Sequence, residues 1–208
     1  MGSLTIVTAA PDELPVDLDR FKSQARIDAT TEDALLRAYL RAAIAYLDGP
    51  TGILGRALMT QTWYWRLDDW SEFQDMGGGI YGIEAPLPPL LSVTSISYID
   101  VNNTTQTWAS SNYQADIYST PGRIALAPAV SLPSLYGNGK VNQVTIRFVA
   151  GYGASPTDVP EDIRLAITLI AAHWYERRLP YEIGAGQMHT IPMSADALLF
   201  KYRMKLFG

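Results

Sequence analysis

A change in hydrophobic period partway along the chain limits its possible folds more than any other feature. From Met59 to about Gly153, apolar and polar residues alternate in short runs such as TQTWYWRLDDW, VTSISYID and VTIRFVAGY, which are rich in β-branched and aromatic residues. A period of two is typical of strands with one buried face. Turn motifs such as DVNNTT, TPGR and YGNGK separate the runs. The region therefore predicts an antiparallel sheet of about five or six short strands.

The segments on either side of this region have the period of 3.6 that is typical of helices. DLDRFKSQARI predicts a short helix, and TTEDALLRAYLRAAIAYLDGPTG predicts a longer one that Thr31 or Thr30 can cap and that ends at Gly49. VPEDIRLAITLIAAHWYERR predicts a third helix. A linker with several glycines and prolines, residues 179–192, separates it from a short last helix in SADALLFKYRMKLFG.

These patterns predict an α+β fold, in which the N- and C-terminal parts form a small helical bundle with an inserted antiparallel β region. We expect a single domain made of residues 1–58 (helical), 59–158 (β insertion), 159–178 (core helix) and 179–208 (linker and C-terminal helix). The core helix is apolar around most of its circumference, so it should pack on the helix of residues 31–47. The residues expected in this contact are Ile163, Ile167, Ile170 and Trp174 on one helix, and Leu36, Leu40 and Ile44 on the other.

Composition and charge argue against several functional classes. The chain has 208 residues, with 16 Lys+Arg against 21 Asp+Glu and a net charge of −5, so the basic surface typical of nucleic-acid binding is missing. It has no cysteine, which excludes disulfides and thiolate chemistry. The first residues, MGSLTIVTAAPDELPVD, lack the pattern of a signal peptide, and no segment has the length of a membrane span. We expect a soluble protein that is not secreted.

His173 and Glu176 are three residues apart on the core helix, a spacing that can present two metal ligands on one face. Position 169 is Leu and position 177 is Arg, so a second histidine one turn away is missing. The third ligand would have to be His189, which lies in the glycine-containing linker. We therefore interpret His173 as a core or interface residue and expect no metal or cofactor. A metal-dependent hydrolase that uses His173, Glu176 and His189 remains the alternative.

Two other motifs have simple structural interpretations. Trp63 and Trp65 can stack on sugars or on single-stranded bases, which is a second alternative, but aromatic residues that alternate along a strand are more often core. MGGGIYG has the glycines of a phosphate loop without its Gly-Lys-Ser/Thr ending, so it predicts a hairpin tip of unassigned role. With no catalytic residues evident, we do not expect an enzyme.

Several motifs occur together in a characteristic order: QTW, then PLPPLLSVTSI, then RFVAGYG, VPEDIRLAI and AHWYE. In their order and spacing they resemble the head–tail connector (adaptor) family of tailed phages, which also has members in prophages and gene transfer agents. The resemblance extends from about Leu18 to Arg178, and more loosely to the final helix. The longer glycine-rich hairpin EFQDMGGGIYG departs from typical members.

The resemblance implies a structural virion protein at the head–tail interface, present in the host cytoplasm during assembly. Family members form a twelve-membered ring below the portal protein, extend the DNA channel and bind a stopper or tail-completion protein. DNA would pass through the channel during packaging and ejection without specific binding, with which the net negative charge is compatible. We expect the turns of the β region to contact neighbouring subunits or the tail-side partner, and we expect no membrane association.

The resemblance also implies that the last residues bind the portal protein. A helix of about fourteen residues is too short to be stable alone in water, so we expect residues 179–208 to be mobile in the free protein and to become ordered in a groove of the portal. The apolar residues expected to fill that groove are Leu198, Leu199, Tyr202, Leu206 and Phe207.

Overall fold

The computed structural model of the chain describes residues 2–177 and 191–204. The chain divides into two compact units, the β unit (Met1–Ala10 and Thr60–Tyr152) and the helical unit (Pro11–Met59 and Gly153–Gly208). Helices and two antiparallel sheets are both present, which confirms the prediction of an α+β fold.

Nine strands lie in the described part of the β unit: β1 (Ser3–Thr8), β2 (Gln61–Leu67), β3 (Gln74–Asp75), β4 (Tyr81–Glu84), β5 (Leu90–Ile99), β6 (Thr105–Trp108), β7 (Tyr113–Asp116), β8 (Arg123–Leu126) and β9 (Val144–Ala150). Five form one sheet in the order β1-β2-β9-β5-β6, and four form a second in the order β3-β4-β8-β7. The sequence predicts one sheet. The arrangement differs because the alternation of residues in a short strand does not specify which other strand it pairs with.

The alternating pattern of the central strands is the one that the sequence predicts. β2 and β9 pair antiparallel, with Trp63 opposite Phe148 and Trp65 opposite Ile146. These four side chains are buried, whereas the residues between them along both strands are half-buried. Each large apolar side chain removed from water contributes about 1.5–3 kcal/mol, so this face is the main core of the β unit.

Strand β1 corrects the expectation that residues 1–58 are entirely helical. It forms an edge of the five-stranded sheet, where Leu4 lies opposite Trp65 and Ile6 lies opposite Trp63. Five of its six residues are exposed, so buried and exposed positions do not alternate along the strand. Its strand conformation comes from pairing with residues almost sixty positions away, which local sequence does not reveal.

A cluster of aromatic side chains forms a second core in the β unit. The ring of Trp70 lies 5.3 Å from that of Phe73 and 5.5 Å from that of Trp108, measured between centroids. Its indole nitrogen donates a hydrogen bond of 2.9 Å to the carbonyl of Pro133. Such edge-on and tilted pairs are favourable beyond the area they bury, and the hydrogen bond satisfies the one polar group of the buried indole.

The helical unit contains four helices in the described residues: α1 (Leu18–Ala25), α2 (Asp33–Leu47), α3 (Glu161–Glu176) and α4 (Met193–Leu199). Asp17 caps α1 by accepting a hydrogen bond of 2.6 Å from the backbone nitrogen of Arg20, and Arg26 ends the helix in the left-handed conformation. Residues 161–176 begin with two acidic residues, which the helix dipole favours. None of these helices is long and apolar enough to cross a membrane.

Helices α2 and α3 pack against each other. Leu36 and Leu40 of α2 and Ile163, Ile167 and Ile170 of α3 are fully buried. Two other residues expected in this contact are only half-buried. Trp174 lies edge-on to Tyr46 with 5.7 Å between ring centroids, and Ile44 lies at the side of the α2 stripe. The fully buried residues therefore form the centre of the contact and the aromatic pair its margin.

We predict that Ile167→Asp destabilises the helical unit by about 3–5 kcal/mol, because it places an unpaired charge at a fully buried position. Leu35→Asp, on the exposed side of α2, is the matched control and should change the unfolding free energy by less than about 0.5 kcal/mol. Urea denaturation followed by circular dichroism measures both. A cooperatively folded Ile167→Asp variant of wild-type stability would contradict the packing.

Candidate interaction surfaces

The last helix packs on the rest of the helical unit. Helix α4 contacts α3, and its residues Ala195 and Leu199 are fully buried. In this arrangement α3 offers an apolar surface on which a short helix can bury one side, so α4 need not be stable alone. The expected mobility of residues 179–208 in the free protein stays a prediction.

Polar contacts hold the end of this segment in place. The side chain of Arg56, which is 8% exposed, donates from Nε to the backbone carbonyl of Tyr202. The backbone nitrogen of Met204 donates to the carbonyl of Leu54 at 3.2 Å. Loss of the carbonyl partner would leave a buried guanidinium donor without a hydrogen bond, which costs free energy. These bonds therefore fix the position of residues 202–204 in the unit.

An ion pair joins the same segment to the start of α3. The Lys201 ammonium lies 2.5 Å from the Asp162 carboxylate, which also accepts a hydrogen bond of 3.4 Å from the Tyr202 hydroxyl. The hydrogen bond from Lys201 lowers the pKa of Asp162 and raises the pKa of Lys201. Both side chains are at least partly exposed, so the ion pair adds little to stability.

The residues expected to bind the portal protein lie in different environments. Leu199 is buried, Leu198 and Tyr202 are half-buried, and Leu206 and Phe207 lie outside the described residues. Sequence reasoning missed Met193 and Phe200, each of which is 75% exposed. The α-helix ends at Leu199, and Phe200–Tyr202 is a 3-10 turn with three residues per turn, which shifts the exposed side away from the predicted stripe.

The glycine-rich hairpin between β3 and β4 projects from the second sheet. Its turn is closed by a hydrogen bond of 2.8 Å from the Met76 nitrogen to the Ile80 carbonyl. Gly77, Gly78 and Gly79 all have positive φ, at 86°, 64° and 77°. In the described part of the chain, no heavy atom beyond each glycine and its two neighbours lies within 4 Å of where a Cβ would stand. The glycines are therefore required by the backbone conformation and not by packing.

A groove with a volume of about 440 Å³ lies against the second sheet. One wall is the hairpin at Ile80 and Tyr81, and the other is the segment 127–130 after β8. Ala125 of the central strand β8 lies in the floor, directly opposite Gly82 of β4. A side chain larger than hydrogen at Gly82 would come within 2.5 Å of the Ile124 carbonyl. Gly82 is therefore required by the close approach of β4 to the backbone of β8.

The turn between β7 and β8 is held by one carboxylate. Asp116 accepts hydrogen bonds from the Ser119 hydroxyl at 2.6 Å, from the Arg123 guanidinium at 2.6 Å and 3.0 Å, and from the backbone nitrogen of Tyr118 at 3.0 Å. The bond from Ser119, followed by that from Arg123, holds the pKa of Asp116 well below its usual range. Tyr118 is 94% exposed on this turn. The ring of Tyr118 is therefore exposed to solvent on a turn that the hydrogen bonds to Asp116 hold in place.

The structure provides no support for the alternative sites in the residues it describes. His173 is half-buried, Glu176 is exposed, and His189 lies outside the described residues. No group of three His, Asp or Glu side chains in those residues can hold a metal ion. Trp63 and Trp65 are each only 6% exposed, so neither ring presents a face to a sugar or a base.

Comparison with known proteins places the chain among phage structural proteins. A family model described as phage gp6-like head-tail connector protein matches residues 15–118. A chain from the neck of an empty GTA particle, computed with C6 symmetry, is 27% identical with a TM-score of 0.73. Chains from the neck of the native GTA particle, computed with C12 symmetry, and from the virion of the native gene transfer agent (GTA) particle are also 27% identical, with TM-scores of 0.69 and 0.71.

Each of these three alignments covers 99% of this chain and 98% of the other chain. The similarity therefore includes both units and is not limited to one of them. Among curated proteins, none matches the chain.

We predict that Leu199→Ala lowers the unfolding free energy by about 2–5 kcal/mol, because it leaves a cavity beneath α4. Phe200→Ala, at the next position, is the matched control and should cost less than about 0.5 kcal/mol, since that side chain is 75% exposed. Thermal and urea denaturation of the two variants measure the difference. Equal stabilities would show that α4 does not rest on α3 in solution.

We predict that Asp116→Asn destabilises the β unit in a pH-dependent way. Because the pKa of Asp116 is lowered in the folded state, its contribution is complete above the usual carboxyl range, about pH 4, and is lost as the pH falls through the lowered folded pKa. The difference in unfolding free energy from wild type should therefore shrink on acidification. Urea denaturation at about pH 7 and about pH 3 measures it, with Asp12→Asn as the control for net charge. A difference that grows with acidity would contradict the assignment.

Proposed function

The chain belongs to the phage gp6-like head-tail connector family, and from that premise we propose that it forms a ring of twelve copies below the portal protein. The protein is a structural connector of the virion, located at the head–tail interface. The observation that supports the ring is the likeness, over 99% of the chain, to a neck chain computed with C12 symmetry. In this role the ring extends the DNA channel and joins the head to a stopper or tail-completion protein.

The charge of the chain fits such a channel. At −5 per copy, a ring of this protein repels phosphates and so does not retard DNA by binding it. We therefore propose that DNA passes through without specific contacts. A connector of this kind acts through its surfaces alone, so we also propose that the protein catalyses no reaction.

The C-terminal segment is the proposed portal-binding element. In the helical unit it presents Met193 and Phe200 to solvent, and these exposed apolar side chains are suited to a groove on a partner. Leu206 and Phe207 continue the same segment. Binding through Leu198, Leu199 or Tyr202 would require α4 to leave α3, because Leu199 is fully buried there. Portal binding by those three residues is thus coupled to undocking of the helix.

The turns of the β unit are the proposed contacts with neighbouring copies or with the tail-side protein. Tyr118 has the properties of an interface anchor, since it is a large aromatic residue held on a well-braced turn and loses little conformational freedom on binding. Ile80 and Tyr81 on the glycine-rich hairpin add exposed apolar surface beside the groove.

Electron microscopy of particle necks tests the proposed function. We expect twelve copies of the chain in a ring directly below the portal. Phe200→Ala should reduce occupancy of the ring on the portal without altering the fold, whereas Val141→Ala, at another exposed apolar residue, is the control. Deletion of residues 77–79, the tip of the hairpin outside β3 and β4, should leave the protein folded and lower the fraction of heads with tails. Particles in which the chain lies away from the neck would refute the proposal.

A further inference from the structure

The side of α2 that faces solvent has an unusual composition. Helix α2 buries Leu36, Leu40, Ala43 and Leu47 on one side. The exposed positions, which we call the α2 face, include no acidic residue. Small side chains at one-turn intervals allow another chain to approach the helix axis closely, while two arginines stand beside them. The exposed residues of this face are Ala34, Leu35, Arg37, Ala38, Arg41, Ala42 and Ala45.

Arg37 and Arg41 have no counter-ion within the described part of the chain. Neither forms a hydrogen bond or an ion pair there, whereas Arg20, Arg123 and Arg164 each pair with a carboxylate. The two lie one turn apart on α2, so their charges repel each other. An acidic protein that leaves two adjacent cations unpaired on an alanine-lined helix presents a surface that a negatively charged partner complements.

The same unit carries a complementary surface. Residues 12–19, DELPVDLD, contain four carboxylates and no cation, and we call them the acidic segment. Asp12, Glu13 and Asp19 are exposed, and none of them pairs with a basic side chain in the described residues. Asp19 lies on α1 away from the buried Leu18. One unit therefore has an unpaired cationic surface on one helix and an unpaired anionic surface on another segment.

We propose that the α2 face of one copy docks on the acidic segment of the next copy, an inference that rests on the ring described above. The arginines disfavour a two-fold contact of the α2 face with itself, because that contact would bring like charges together. Pairing of two different surfaces is head-to-tail, and a head-to-tail contact that closes generates a ring. Double-stranded DNA is the less suitable partner, because the chain is acidic overall and the alanines favour a closely packed protein surface.

The proposal makes assembly sensitive to salt. Pairs of exposed charges are screened within about 10 Å at 0.1 M ionic strength, so raising the salt concentration should weaken the contact. We expect the purified full-length protein to self-associate at low ionic strength and to dissociate as salt is added. Sedimentation velocity at about 0.02 M and about 0.5 M sodium chloride measures this. A wild-type chain that is monomeric at both salt concentrations overturns the inference, while the ring on the portal is tested separately by microscopy.

Charge reversal tests the two surfaces. Arg37→Glu with Arg41→Glu should weaken self-association at least about tenfold, and Asp12→Lys with Glu13→Lys and Asp19→Lys should do the same. A chain that carries all five changes restores the opposite signs and should associate again. The control is Arg26→Glu with Arg177→Glu, at two other exposed arginines. It changes the net charge as much as the Arg37 and Arg41 variant does and should have little effect on self-association. Failure of the combined variant to associate, or wild-type association of either reversed variant, overturns the proposal.

A steric variant separates a protein partner from DNA. Ala38→Trp adds bulk to the middle of the α2 face without changing charge, and it should weaken self-association while the melting temperature stays within about 2 °C of wild type. Gel-shift titration with double-stranded DNA provides the other arm. If the arginine variant loses DNA binding but assembles normally, the α2 face contacts DNA and the proposal is wrong.

Discussion

The pairing of Gln61 with Ala150 is the contact on which the chain's path depends. It joins the first residue of β2 to the last residue of β9, so the two ends of a ninety-residue segment lie side by side within the β unit. The chain therefore leaves and re-enters the five-stranded sheet at neighbouring positions. In the helical unit, α2 and α3, more than a hundred positions apart in sequence, pack against each other.

Sequence reasoning works best where burial is periodic and local. The alternation in β2 and β9 and the apolar stripes of α2 and α3 are visible in the sequence, because each buried position repeats at the spacing of its own element. β1 has no such repeat, since most of its residues are exposed and only its backbone pairs with β2. The division into two sheets is likewise decided by long-range pairing, which no local pattern records.

The candidate surfaces divide in the same way. The glycine hairpin and the charged residues of α2 and of residues 12–19 are visible in the sequence, because they depend on residue identity. Their exposure is given by the structure. The docking of α4 is not, because it depends on the apolar surface of α3 and on Arg56, which is distant in sequence from the Tyr202 carbonyl that it contacts. The change to a 3-10 turn at Phe200 then moves the exposed side chains away from a stripe calculated for an α-helix.

The open space around the hairpin glycines has a consequence for how proteins of this kind diverge. Within the described residues, a Cβ added at Gly77, Gly78 or Gly79 would meet no atom outside the neighbouring residues within 4 Å, whereas a Cβ at Gly82 would clash with the backbone of β8. Insertions, deletions or a different tip sequence can therefore accumulate above β4 without disturbing the core. Changes confined to the hairpin tip can in this way adapt the connector to a different neighbouring protein while the rest of the particle stays unchanged.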